Sequence, residues 1–382
     1  MGRPLRSEQF RHDEIAIVHC VQRCVRRAFL AGDDNVSGID YSYRREWIRR
    51  RFEALASVFA IDVLSYAILS NHLHVILRSR PDVLSNLSDE EVTIRWLRVF
   101  PGRRIEEQLA EPSQIDVKRV LSDPDQLAMI RTRLSDISWF MRALAEPIAR
   151  MANSQDECTG RFWEGRFKAQ RIVDDAGLLA CAMYVDLNPV RAAIAESPEK
   201  SIHTSVYDRI EAEKGKQIPS AAYDLVPITH EESVAQRRKS LAEQRHDHEA
   251  KKKGTAKRVL RDSWLAPLSL TSGLRSSDPQ VHRDGLRASD KGFLRIDLSS
   301  YKKLLGWVAE NKPSAGTVAL PKQLSDALIT CGVIPEMLSD LIWNFKKYFS
   351  RCVGGSDSMQ GDAERIGRRW HRGQRRAAAC FS

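Results

Sequence analysis

A chain of 382 residues with 42% hydrophobic content can pack cores for two or three domains, and no apolar run approaches the roughly 18 residues of a membrane span. Sixty Lys and Arg against fifty Asp and Glu give a formal charge of +10, which favours a polyanionic partner. The seven cysteines are odd in number and scattered, with no Cys-x-x-Cys, which argues against a disulfide framework or a zinc ribbon. Cys20 and Cys24 beside His19 lack a second ligand pair nearby, so no metal is expected there. The first 14 residues hold no apolar leader core, so a cytoplasmic protein is expected.

Residues 14–30 begin as a strand and turn basic at Arg23, Arg26 and Arg27. Over 43–60 a helical period offers Trp47, Phe52, Leu55 and Phe59 to one side. Residues 61–70 and 72–80 read as two strands joined by a tight Ser-Asn connection. The polar, irregular stretch 81–135 has the character of an insertion. A helix is predicted over 137–154, kinked near Pro147. Residues 160–173 form a basic, aromatic strand or hairpin. The next helix, over 174–188, takes Asp174 or Asp175 as its N-cap and stops at Pro189. From 211 to 263 the chain is a charged linker or exposed helix. Residues 264–382 make a smaller, mainly helical C-terminal region with a basic tail, RIGRRWHRGQRR (365–376), that either grips DNA or is disordered.

The strand over 72–80 contains the first chemistry. Alternation puts His72 and His74 on one face, with Ile76 and Arg78 following, and turns Leu73, Val75 and Leu77 into the core. Two imidazoles about 7 Å apart along a strand face can share a cation. Spacing alone is a weak signal: His-Asp-His recurs at 246–248 inside a run of charges, where it reads as a solvated surface. Context comes from Tyr-Val-Asp-Leu-Asn at 184–188. Tyr184 and Asn188, four apart, share a helix face. Gly177, Ala180 and Cys181 make that face small upstream, which suits close packing. A tyrosine accepts a phosphoryl group when a cation polarises the phosphate, and an amide oxygen suits Mg²⁺ or Mn²⁺. The plainer alternative is a core tyrosine with Asn188 as a C-cap.

SNHLHVIL (70–77), GRFWEGRFKAQRI (160–172) and YVDLNPVRAAI (184–194), in that order, resemble the single-tyrosine HUH transposases. The nearest pattern is that of the insertion-sequence-200-like family and its relatives associated with repeated extragenic palindromes. The resemblance spans about residues 10–210. The 81–135 insertion is longer than a compact member needs, residues 264–382 lie outside the pattern, and Ala193 stands where the family often has glycine.

The resemblance implies an α+β fold with a ferredoxin-like HUH core, an antiparallel sheet with helices on one face, over 1–210. It implies Tyr184 as nucleophile and His72, His74 and Asn188 as ligands of Mg²⁺ or Mn²⁺. The activity would be a metal-dependent transposase that cuts and rejoins single-stranded DNA at hairpins or palindromic repeats through a 5′-phosphotyrosine. No ATP is needed, in keeping with the lack of a phosphate-binding GxxxxGK[ST] loop. Homodimers occur in the family. Arg161, Arg166, Lys168, Arg171 and Arg191 are candidate phosphate contacts; Phe162, Trp163 and Phe167 either stack on bases or belong to the core. Protonated histidine cannot ligate, so activity is expected to fall below pH ~6. A catalytically silent hairpin-binding regulator is the main alternative. Histidine-based phosphohydrolases fit poorly, since Ile76 stands where a third histidine would be needed.

Overall fold

The computed structural model describes residues 9–25, 32–34, 38–101, 112–222, 257–270, 279–313 and 319–382. Arg26, Arg27 and the His-Asp-His at 246–248 lie outside the described residues, as does most of the charged linker. No helix among the described residues is long and apolar enough to cross a membrane.

The elements that position the site are, in chain order, β1 (Ile17–Arg23), α1 (Arg44–Ala56), β2 (Ile61–Ile68), β3 (His72–Ser79), α2 (Asp89–Val99), α3 (Gln114–Leu121), α4 (Pro124–Arg133), α5 (Ile137–Gln155), β4 (Lys168–Ile172), α6 (Asp175–Asp186), α7 (Ser205–Glu213), α8 (Leu298–Glu310), α9 (Leu338–Trp343), α10 (Phe345–Tyr348), β5 (Cys352–Val353), α11 (Ser356–Arg365) and α12 (Gln374–Cys380). The fold is α+β. One five-stranded mixed sheet has the order β2-β3-β1-β4-β5, every neighbouring pair antiparallel except β4 with β5.

Helices were expected on one face of the sheet; both faces are covered. Val18, Cys20, Leu73, Val75 and Leu77 pack into one core with Phe52 of α1, Phe140 and Leu144 of α5, and the insertion residues Val92, Trp96, Val117 and Ile130. Ile76 and Ile172, on the other face, meet Leu179 and Met183 of α6 and Tyr301, Leu305, Leu341 and Phe345 from the C-terminal region. The cause is legible in β2, all eight of whose residues are buried: a strand apolar on both sides needs a layer on each.

The helix limits follow from local chemistry. Asp136 caps α5 by accepting from Ser138 N at 2.5 Å, and Pro147 lies inside that helix. Asp174 caps α6, accepting from Gly177 N at 2.8 Å. Gly177 permits a close approach to β5, since a Cβ there would meet Val353 O at 2.8 Å. Helix α6 ends earlier than the 174–188 expectation. Leu187 is a hinge, and Asn188 opens a separate one-turn helix, Asn188–Arg191, with Pro189 in its first turn. Asp186 ties α6 to its surroundings, accepting from Ser205 Oγ at 2.6 Å, Val206 N at 3.0 Å and Tyr301 Oη at 2.7 Å. Only 168–172 of the expected 160–173 strand is regular; the rest is held by isolated bonds to the end of β1, such as Glu164 N to Arg23 O at 2.8 Å.

Candidate metal and tyrosine site

Directly paired residues of an antiparallel sheet share a face. The registers therefore write out the surface beneath α6 row by row. His72 faces Arg23; His74 faces Val21, which faces Lys168; Ile76 faces His19, which faces Gln170. Three histidines thus share one face at one end of the sheet. The third, His19, went unrecognised in the sequence, although the strand period through Ile17, His19 and Val21 carried the signal.

The hydrogen bonds order these rings. Gln170 Oε1 lies 3.0 Å from His19 Nδ1, His19 Nε2 lies 2.9 Å from His74 Nδ1, and His74 Nε2 lies 3.1 Å from the Asn188 amide nitrogen. With the Gln170 amide oxygen turned toward His19, that oxygen only accepts, so in this orientation His19 carries its proton on Nδ1. Its bare Nε2 then accepts from His74 Nδ1–H, which leaves His74 Nε2 bare and directed at Asn188. The same logic applies to His72, whose Nδ1 donates to Asn71 Oδ1 at 2.6 Å and leaves Nε2 bare. The His72 and His74 ring centroids are 4.9 Å apart.

Burial keeps these rings neutral. It pushes His19 down to about 4. It does the same to His72, where Arg23 and Lys346 add to the effect. His74 is held well below the ordinary value, first by burial, with the neighbouring His19 and His72 and the cations Arg191 and Lys346 adding to it. Neutral imidazoles with bare nitrogens are what a cation requires. Turning the Asn188 amide over exchanges its oxygen and nitrogen. The oxygen then sits 3.1 Å from His74 Nε2, close to the ~3 Å between neighbouring ligands of a cation bound at about 2.1 Å.

Tyr184 stands over the same face, its ring centroid 5.7 Å from that of His74 and 6.0 Å from that of His19. Phe345 stacks on it at 4.6 Å, and the Arg191 guanidinium carbon lies 4.6 Å from the ring centre. Arg191 Nη2 donates to Trp343 O at 2.8 Å, while its Nε is buried with no hydrogen-bond partner among the described residues. Tyr184 is 4% exposed. Comparison with family models, with curated proteins and with solved structures finds no match to this chain.

The structure brings His72, His74, Tyr184, Asn188 and Arg191 together although Asn188 leaves the tyrosine helix. Arg161, Arg166 and Lys168 are exposed, and Lys168 lies in the His74 row. Trp163 is not available for stacking: it is buried and donates Nε1–H to Ala145 O at 2.7 Å, and Phe162 and Phe167 are core residues too. Arg171 points to the opposite face, where Glu14 takes it at 2.7 and 2.9 Å and Asp362 at 3.1 Å. Phe345 and Lys346 had no sequence signal, since their roles depend on where the C-terminal region docks.

A second group has metal-ligating types: buried Cys352, Asp362 and His371, with atoms within 4.8 Å of one another. Its carboxylate is already surrounded by donors. Oδ1 takes Arg365 at 2.8 Å and Arg171 at 3.1 Å, and Oδ2 takes His371 at 2.8 Å. Burial also holds the Cys352 thiol far above its ordinary value, against thiolate formation. Two guanidinium groups oppose a cation there, so the trio acts as an internal tie.

Proposed function

We propose that this chain is a single-tyrosine HUH transposase, a metal-dependent endonuclease and strand transferase for single-stranded DNA. The observation that carries the reading is that three elements bring four side chains together: His72 and His74 of β3, with ring centroids 4.9 Å apart, the Asn188 amide 3.1 Å from His74 Nε2, and the Tyr184 ring of α6, 5.7 Å from that of His74. The strand order β2-β3-β1-β4, with alternating directions and helices between β1 and β2 and between β3 and β4, supports a ferredoxin-like core.

The donor set fits Mg²⁺ or Mn²⁺ held by His72, His74 and Asn188, and such an ion supplies Lewis-acid polarisation of the scissile phosphate. The Tyr184 oxygen attacks phosphorus as its O–H bond breaks. The bond from phosphorus to the 3′-oxygen breaks, and that oxygen ends as a 3′-hydroxyl. The product is a 5′-phosphotyrosine; attack by a 3′-hydroxyl reverses the step and rejoins strands. Arg191, with its unpartnered buried Nε beside the ring, is suited to a phosphate oxygen.

A second reading, a silent hairpin binder, is favoured by the burial of Tyr184 beneath Phe345. One experiment separates the two. Single-stranded oligonucleotides from the sequences flanking the gene are incubated with Mn²⁺ or Mg²⁺ and run on denaturing gels. The transposase reading expects a metal-dependent covalent adduct, absent in Tyr184→Phe and His72→Ala. Hairpin binding without an adduct and without a metal requirement would favour the regulator.

A further inference from the structure

The basic tail is an ordered turn between α11 and α12, and it presents Trp370 to solvent at 64% exposure. The chain has eight tryptophans, and the other seven are buried or half-buried. An exposed indole on a fixed turn needs an explanation, because apolar area of that size is usually buried.

The turn is fixed from the inside. His371, next in sequence, is buried with Nε2 2.8 Å from Asp362 Oδ2. Arg368 N donates to Ala363 O at 2.8 Å. Gly373 sits at φ 101°, where a Cβ would meet Tyr348 O at 2.5 Å, so glycine is required. Arg372 Nη2 donates to Lys347 O at 3.1 Å. The indole is therefore held outward by neighbours that are locked inward.

The surroundings are cationic. Residues 365–376 contain six arginines and no acid, and Arg368, Arg369 and Arg372 are exposed beside Trp370. The turn also adjoins the catalytic face. Lys347, which accepts from Arg372, follows Lys346, whose charge bears on His72 and His74, and Phe345, which stacks on Tyr184. The segment Phe345–Lys347 thus joins the neighbour of Tyr184 to the turn that carries Trp370.

We propose that the Arg368–Arg372 turn is a second binding surface for single-stranded nucleic acid. Trp370 stacks on a base, and Arg368 and Arg369 meet flanking phosphates of the strand that leaves the Tyr184 site. An indole among guanidinium groups is the combination that single strands use, and it is indifferent to sequence. This inference rests on the proposed function and assigns the C-terminal region a role within it.

The test measures binding of a fluorescently labelled oligothymidylate 20-mer to the full chain by anisotropy over a salt series. Wild type is compared with Trp370→Ala, Trp370→Phe and the double variant Arg368→Gln/Arg369→Gln. Trp370→Ala is expected to weaken binding on the order of tenfold, with Trp370→Phe restoring most of it. The arginine variant is expected to flatten the salt dependence by roughly 0.7 per lost phosphate contact. Binding by wild type that all three variants match would overturn this surface and leave the proposed function standing. Failure of wild type to bind any single strand would remove both.

Discussion

His19 Nε2 lies 2.9 Å from His74 Nδ1. With the Gln170 oxygen toward His19, the relay leaves His74 Nε2 free; the reversed amide would leave it protonated. In the proposed metal site His19 would act as a positioning residue behind His74. Interactions of this kind typically change metal affinity by 10–100-fold. His19→Ala and Gln170→Ala are expected to weaken Mn²⁺ binding by about that factor, measured calorimetrically. Nitrogen-15 shifts of His74 should show Nδ1–H in wild type and a tautomer mixture in the variants. Unchanged affinity together with unchanged shifts would dismiss the relay.

The buried histidines set the acid stability. An unfolded His19 protonates near its ordinary 6.5, and the folded one only near 4. The unfolded state therefore binds more protons in that window. Stability is retained above about 6.5 and falls as pH drops towards 4, by about 3 kcal/mol for His19. Urea midpoints at pH 7 and pH 4.5 check this. His19→Gln is expected to lose less stability on acidification than wild type, and equal losses would mean that His19 is not held neutral by burial. For activity, the sequence expectation of an acid limit near pH 6 moves down, since burial pushes His72 to about 4.

Ala193 follows the Asn188–Arg191 turn with φ at 54°, a left-handed conformation that an L-alanine adopts at a cost. Glycine adopts this conformation without that cost. Ala193→Gly is expected to stabilise the chain by about 0.5–1 kcal/mol, the relief outweighing the extra entropy of glycine in the unfolded state. Thermal unfolding measures it. A lower midpoint in the variant would contradict the strain.

Much of the site was readable because it rests on short-range rules. Strand period two put His72 and His74 on one face and Leu73, Val75 and Leu77 on the other, and the registers agree. A capping aspartate and a helical run placed Tyr184. The strand period put His19 on one face of β1, but its place beside His74 depends on strand pairing across 55 residues, which that period does not encode. The layer over the second face was missed for the same reason. Phe345 reaches Tyr184 only through the docking of a region whose own sequence carries no motif. Trp163 shows the opposite limit: a basic, aromatic segment suits DNA by composition, yet its rings face inward, Arg171 is tied to Glu14 and Asp362, and only Arg161, Arg166 and Lys168 are exposed.

The proposed chemistry stands on Tyr184 becoming covalently joined to DNA. The most direct measurement digests the adduct formed on a hairpin-bearing single strand with Mn²⁺ and maps the modified peptide by mass spectrometry. A nucleotide joined through its 5′-phosphate to Tyr184 is expected. A nucleotide on another tyrosine, or an adduct undiminished in Tyr184→Phe, would contradict it.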